Sequence, residues 1–513
     1  MTATRKWIYV IVGLMVFLVL LNFGVQNWVK SKLPEIFQNN TDYELQFNQA
    51  DVSIFRSSLA LENVAIRPKN RTEKPSDSLV VNIHELKVSG VNLFKLLFKD
   101  DIAISHVKII QPEIHYSKFS EKQKDSISSK PENQKSIAIK SFEIEGGKLY
   151  FSDSKDKEPR ILEVNNVNIF LDNINYNQET SLRKIPFTYE NVTVKIDSLD
   201  YHPNNVYHLQ TQQITFENNT FNIEEFRLTP KLSRSGFLQQ LVVEKDLYNF
   251  SVQSISLSDI DWGFLEDDFY IKSPSLELSK LNADIFRSKV PEDDTSKKLL
   301  YSALLRELPF FMEVDKVMLK DSQIAYEEEV IRGQPGKLTF SQFNATISNV
   351  NSGYKKTELP DVAIDVDCIF MHESKLKVNW TFNPMNKNEE FKIKGNLFKY
   401  DLHKTTPFIK PRIFASAEGT AHEIAFNFSG NDVVGSGNFL INYDDLKITA
   451  YTKDLSQKNL LKEAIANILV KKSSNGEQKE VEIKPVYRKQ DRSFFNFFWS
   501  CVEQGLIQTI III

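Results

Sequence analysis

Glycine is scarce in this chain, 17 of 513 residues, and there are only 2 cysteines and 8 histidines. So little glycine disfavours enzymes built on glycine-rich nucleotide loops, and Gly435-Ser436-Gly437 reads as a β-turn, being neither a GxSxG elbow nor a phosphate loop. Cys368 and Cys501 form no CxxC pair and no disulfide framework. The histidines (84, 106, 115, 202, 208, 372, 403 and 422) make no HExxH or other recognisable ligand spacing, and most fall at polar positions of strands. Charge is balanced at −4, from 63 basic and 67 acidic residues without a basic block, which removes the electrostatic case for nucleic acid. The acidic run Asp259, Asp261, Glu266, Asp267, Asp268 lacks the glycine and terminal glutamate of a calcium loop and reads as a solvated patch. No nucleophile has a candidate base nearby in sequence. The expectation is a protein that is not an enzyme and has neither cofactor nor metal.

Apolar alternation is what the chain has in abundance, together with 37 phenylalanines. The pattern Φ-x-Φ-x-x-Φ-x-Φ occurs eleven times: Leu59-Leu61-Val64-Ile66, Val81-Ile83-Leu86-Val88, Ile102-Ile104-Val107-Ile109, Ile137-Ile139-Phe142-Ile144, Leu162-Val164-Val167-Ile169, Val194-Ile196-Leu199-Tyr201, Phe221-Ile223-Phe226-Leu228, Phe250-Val252-Ile255-Leu257, Leu276-Leu278-Leu281-Ala283, Met312-Val314-Val317-Leu319 and Leu338-Phe340-Phe343-Ala345. Period two marks a strand with one apolar and one wetted face. The x-x step would turn the second apolar pair to the other face. A β-bulge absorbs the extra residue and bends the strand. A hairpin turn is the rival reading, but pairs such as Glu62-Asn63, His84-Glu85 and Asn165-Asn166 contain no glycine.

The copies begin 21 to 36 residues apart, which leaves room for return strands and suggests an array, not one globular core. Two of them match beyond the motif. Ile102, Ile104, Val107, Ile109, Ile114 and Tyr116 recur 35 positions later as Ile137, Ile139, Phe142, Ile144, Leu149 and Phe151, a duplicated unit.

Residues 7–25 hold one strongly polar side chain, Asn22, and are long enough to span a bilayer as a helix. No cleavage-site pattern follows, so a retained anchor is expected, with Arg5 and Lys6 placing the N-terminus in the cytoplasm. Short helices are expected at 25–37, 92–98, 297–308 and 459–470, a solvated loop at 120–134 and further strands over 362–451. Near the C-terminus Phe494, Phe495, Phe498 and Trp499 crowd into a segment too polar, with Asn496, Glu503 and Gln504, for the bilayer centre. It reads as an amphipathic helix that lies on a membrane through those four aromatics or closes the β array.

An anchor followed by "LALENVAI", "VNIHELKVSGV" and "DIAISHVKIIQPEIHY" resembles the AsmA-like family of bacterial envelope proteins, whose β-repeats are similar to those of bridge-like lipid-transfer proteins. The stretch "FKIKGNL" and residues 417–448, with Gly395, Gly419, Phe426, Phe428, Gly430, Asn431, Asp432, Gly437, Tyr443, Asp445 and Leu446, looks like that family's closing β-module. The Ile510–Ile513 tail departs from the pattern. The resemblance implies a single-pass inner-membrane protein with its bulk in the periplasm. It also implies phospholipid as ligand, the inner membrane as a partner, and the outer membrane or one of its proteins as a partner through the C-terminal helix. The groove floor would then be Leu59, Leu61, Val64, Ile66, Val81, Ile83, Leu86, Val88, Ile102, Ile104, Val107, Ile109, Ile137, Ile139, Phe142, Ile144, Val194, Ile196, Phe221, Ile223, Phe226 and Leu228. The rival function is an envelope scaffold or assembly factor for outer-membrane proteins that uses strand edges without conducting lipid.

The expected fold is mainly β: a transmembrane helix and short extension (1–38), a long twisted antiparallel sheet curled into an open half-pipe (39–360), an AsmA-like β-module (361–455), and a C-terminal region (456–513) ending in the amphipathic helix.

Overall fold

In a computed structural model, residues 24–69, 77–92, 101–118, 136–153, 160–331, 335–452, 473–474 and 479–510 are described. Strands dominate, as the alternation requires. No helix among the described residues is long and apolar enough to cross a membrane. Residues 1–23, which carry nearly all of the expected span, lie outside them. So do the expected loop at 120–134, the expected helix at 459–470 and nearly all of that at 92–98. The chain divides into two compact units, Met1–Phe221 and Asn222–Ile513.

The first unit opens with helix α1 (24–40) and the short strands β1 (Tyr43–Gln46) and β2 (Gln49–Ser53), both antiparallel to β3 (Ser58–Pro68). Then come β4 (Ser78–Ser89), β5 (Ile102–Lys118), β6 (Ile137–Asp153) and β7 (Arg160–Tyr176), each paired with the one before. Two collinear short strands, β8 (Val192–Ile196) and β9 (Ser198–His202), pair with β7. Beyond them lie β10 (Tyr207–Thr211) against β9 and β11 (Ile214–Glu217) against β8.

The purely antiparallel expectation is corrected here: β5 and β6 run parallel. The duplication accounts for it, since parallel pairing at an offset of 35 sets Ile102 beside Ile137, Ile104 beside Ile139 and Tyr116 beside Phe151. The long connection between them is of the length a parallel crossover needs.

β12 (Thr220–Pro230) carries the boundary. In the second unit α2 (Arg234–Leu238) precedes β13 (Asp246–Ser258), which pairs antiparallel with β15 (Asp268–Ser279) and β16 (Asn282–Ser288), while β14 (Asp261–Leu265) forms a hairpin with β15. After α3 (Tyr301–Arg306), inside the helix expected at 297–308, β17 (Phe311–Glu329) runs parallel to both β15 and β16. An antiparallel meander follows through β18 (Gly336–Asn351), β19 (Val362–Phe370), β20 (Ser374–Phe382) and β21 (Phe391–Asp401). It continues past α4 (Thr406–Ile413) to β22 (Ala415–Gly430), β23 (Val434–Ala450) and β24 (Lys479–Tyr487), and α5 (Phe494–Ile510) ends the described chain.

None of the eleven motifs is a hairpin. Nine lie within one strand, and two, at 194–201 and 276–283, run through the consecutive pairs β8/β9 and β15/β16 along a common neighbour. At the x-x step of five motifs one residue takes a left-handed backbone: Asn63, Asn166, Glu225, Lys280 and Gln342 stand second in the pair with φ between 45° and 52°. The register shifts opposite Asn166 and at Gln342, and is the same on both sides of Asn63 and Lys280. Gln111 and Gly146, 35 apart, also take a left-handed backbone, two residues beyond their motifs. Register shifts flank Gly146, between Ile144 and Gly147, and the β17–β18 pair is shifted on both sides of Ser322. In the first unit Asn63, Gln111, Gly146 and Asn166 fall in one row across β3, β5, β6 and β7, so the bends line up.

Candidate functional site

Cross-strand partners share a face, so a chain of registers shows which side chains line up. In the first unit the chain is unbroken. Leu59, Leu61, Val64 and Ile66 oppose Val88, Leu86, Ile83 and Val81. Leu86 and Val88 oppose Ile109 and Val107, which lie beside Ile144 and Phe142. Ile144 opposes Ile169, and Ile169 opposes Val194. Val164 and Leu162 oppose Leu199 and Tyr201, and Ile196 opposes Ile214. Residues of six motifs, together with Ile214, therefore form one apolar face across seven strand positions, about 29 Å wide at ~4.8 Å for each step.

That face is half open. Of the groove-floor residues named from the sequence, Leu61, Val64 and Ile83 are buried and all the others are half-buried. The three buried ones form a cluster with Leu45 and Ala50, against which Val29, Leu33 and Phe37 of α1 pack. Gln26 Nε2 of α1 donates to the carbonyl of Ala50 at 2.7 Å, fixing the helix there. Over β6 to β9 only Val164 and Ile174 are buried among the apolar residues, and no described helix packs on that stretch. Phe221, Ile223, Phe226 and Leu228 sit half-buried on β12.

The opposite face is wetted. Lys108 Nζ meets Glu143 Oε1 at 3.2 Å and Glu145 Oε2 at 2.6 Å, which raises the lysine pKa and lowers that of Glu145, in each case first through the Lys108–Glu145 hydrogen bond. His115 stacks on Tyr150 with ring centroids 4.5 Å apart. Exposed pairs of this kind add little stability, but they hold one face in water.

The second unit treats its apolar face differently. Ile364, Trp380, Ile393 and Phe428 oppose one another in turn across β19 to β22, and Phe426 opposes Phe439. Helix α5 roofs this row. Phe494 stacks on Trp380 with centroids 4.3 Å apart and planes 6° apart, and Phe498 meets Phe426 edge-on at 5.0 Å. The approach needs glycine: a Cβ on Gly505 would lie 2.3 Å from Phe439 Cγ. Of the aromatics expected to touch a membrane, Phe494 is therefore buried at 3 % exposure, Phe498 and Trp499 are half-buried, and Phe495, at 60 %, points outward. The helix closes a core, because its aromatic side has a complementary aromatic row beneath it.

Sequence reasoning found the stripe but missed its lid. The apolar spacing of Val29, Leu33 and Phe37 at i, i+4 and i+8 was the available signal for a helix that packs on the face.

No protein-family model and no curated protein matches this chain. The functional reading therefore rests on its own residues.

Proposed function

We propose that this protein is a membrane-anchored lipid-transfer protein of the cell envelope, and that the apolar face of its first unit carries the acyl chains of phospholipids. One observation carries the reading: a band of aligned Ile, Val, Leu and Phe side chains, continuous through β4, β5, β6, β7 and β8, left half-exposed. Folded proteins rarely leave contiguous apolar surface of that extent without a partner. Acyl chains are a suitable one. An apolar stripe flanked by polar residues solvates hydrocarbon without specific contacts, and the face is about twice as wide as half of a ~30 Å hydrocarbon core, the length available to one chain.

At ~0.8 kcal/mol for each CH₂, moving a two-chain lipid with roughly thirty methylenes through water costs on the order of 20 kcal/mol. A dry stripe removes most of that barrier. In this reading residues 7–25 hold the chain in the inner membrane, the rest lies in the periplasm as an open half-pipe, and the path leads toward the outer membrane. The half-covered end beneath α1 is then where the stripe starts, next to the anchor.

Photocrosslinking tests it. With p-benzoylphenylalanine in place of Ile104 or Ile139, adducts with phospholipid are expected in intact cells, and none with the probe at Lys140, which is exposed. Adducts only with outer-membrane barrel proteins would replace this reading by the scaffold one.

A further inference from the structure

On the wetted face of the first unit, β9 and β10 bring two histidines and an aspartate together. Tyr201 opposes Leu209 and Asp200 opposes Gln210, which puts His208 across from His202. Tyr201 belongs to the apolar stripe, so Asp200, His202, His208 and Gln210 point the other way as a two-by-two block. The turn is pinned by Asn204 Oδ1, which accepts from the backbone of Val206 at 2.8 Å and Tyr207 at 2.9 Å.

Both imidazoles aim their Nε2 at one carboxylate. His208 Nε2 lies 2.8 Å from each Asp200 oxygen and His202 Nε2 lies 3.1 Å from Oδ1. The rings are stacked, with centroids 4.3 Å apart and planes at 13°. Three ligating atoms, one from each residue, fall within 4.8 Å of one another. Bonds of ~2.0–2.1 Å to a tetrahedral ion set ligand atoms about 3.4 Å apart, so the atoms now at 2.8 Å would separate by about 0.6 Å and no pair would close by more than about 1.4 Å. Gln210 Nε2 donates to Asp200 Oδ2 at 2.9 Å, the kind of outer contact that orients a ligating carboxylate. The side chains are 24 to 32 % exposed, which leaves a path for an ion and water.

We propose that Asp200, His202 and His208 bind one divalent transition-metal ion of the zinc class. Two imidazole nitrogens and a carboxylate favour Zn²⁺, Cu²⁺ or Ni²⁺ over the all-oxygen preference of Ca²⁺ and Mg²⁺. The ion would tie β9 to β10 at the wetted surface, with its remaining positions open to water.

The test is titration of the detergent-extracted, chelator-treated full chain with Zn²⁺ by calorimetry, together with Co²⁺ absorption. One equivalent is expected to bind, with a tetrahedral Co²⁺ spectrum. His202→Gln, His208→Gln and Asp200→Asn should each weaken it at least tenfold, and Gln210→Ala about tenfold. Unchanged circular dichroism shows that the variants are folded. If they are not, Cu²⁺ resonance of the wild-type chain decides, two coupled nitrogens being expected. No stoichiometric binding by the wild-type chain, binding unchanged in His202→Gln/His208→Gln, or a copper signal without nitrogen coupling would overturn the proposal.

Discussion

Ile104 on β5 lies directly beside Ile139 on β6, its own counterpart 35 positions later in the chain. The two copies agree at their apolar positions and differ in charge, so Lys108 sits beside Glu143 and Glu113 beside Lys148. Perfect copies in parallel register would put like charges side by side, which is unfavourable. Divergence on the wetted face alone lets the duplicated unit pair with itself.

That register is testable by crosslinking. Ala103 and Ala138 are partners, and Cα atoms of adjacent strands fall within disulfide reach. Ala103→Cys with Ala138→Cys should oxidise readily. Ala103→Cys with Ser152→Cys should not, whereas an antiparallel arrangement of the two strands would reverse the order.

The bulge row makes a second prediction. Gly146 holds φ 68° and its duplicate Gln111 holds φ 48°. Gly146→Ala puts a side chain into the left-handed region and is expected to cost about 1–2 kcal/mol by chemical denaturation. Gln111→Gly should stay within about 0.5 kcal/mol, because relief of backbone strain offsets the looser unfolded chain. Equal losses at both sites would mean that the bulges do not set the cost.

The docked position of α5 can be read through its thiol. Burial pushes Cys501 up to about 12, and Cys368 likewise, so at pH 8 only on the order of 10⁻⁴ of either is thiolate. Maleimide should leave both unmodified until the protein unfolds. Gly505→Leu, which cannot pack against Phe439, should expose Cys501 and leave Cys368 protected. Rapid labelling of Cys501 in the wild-type chain on anionic vesicles would show that α5 leaves the sheet for the membrane.

Much of this was legible in advance because its cause is local. Period-two apolar spacing marks the strands, and in five motifs the x-x step holds the expected irregularity, at left-handed Asn63, Asn166, Glu225, Lys280 and Gln342, whereas in the duplicated pair the left-handed residue is Gln111 or Gly146, beyond the motif. Strand direction was not legible, since it depends on the crossover between Lys118 and Ile137 and on partners distant in sequence. The destination of Phe494 was equally hidden: an aromatic helix face fits a bilayer or an aromatic sheet, and only the row from Trp380 to Phe439 decides between them. Asp200-x-His202 at strand spacing was visible, but His208 joins it only through the β9–β10 register.

Bound lipid is the most direct test of the central claim. Native mass spectrometry of the full chain extracted from its own membranes should find phospholipid on the wild-type protein. The same lipid should remain on Lys140→Asp, whose side chain is on the wetted face, and be lost from Ile139→Asp, where a carboxylate would sit in the stripe at a cost of several kcal/mol. An empty wild-type protein, or equal lipid on the two folded variants, would contradict the account.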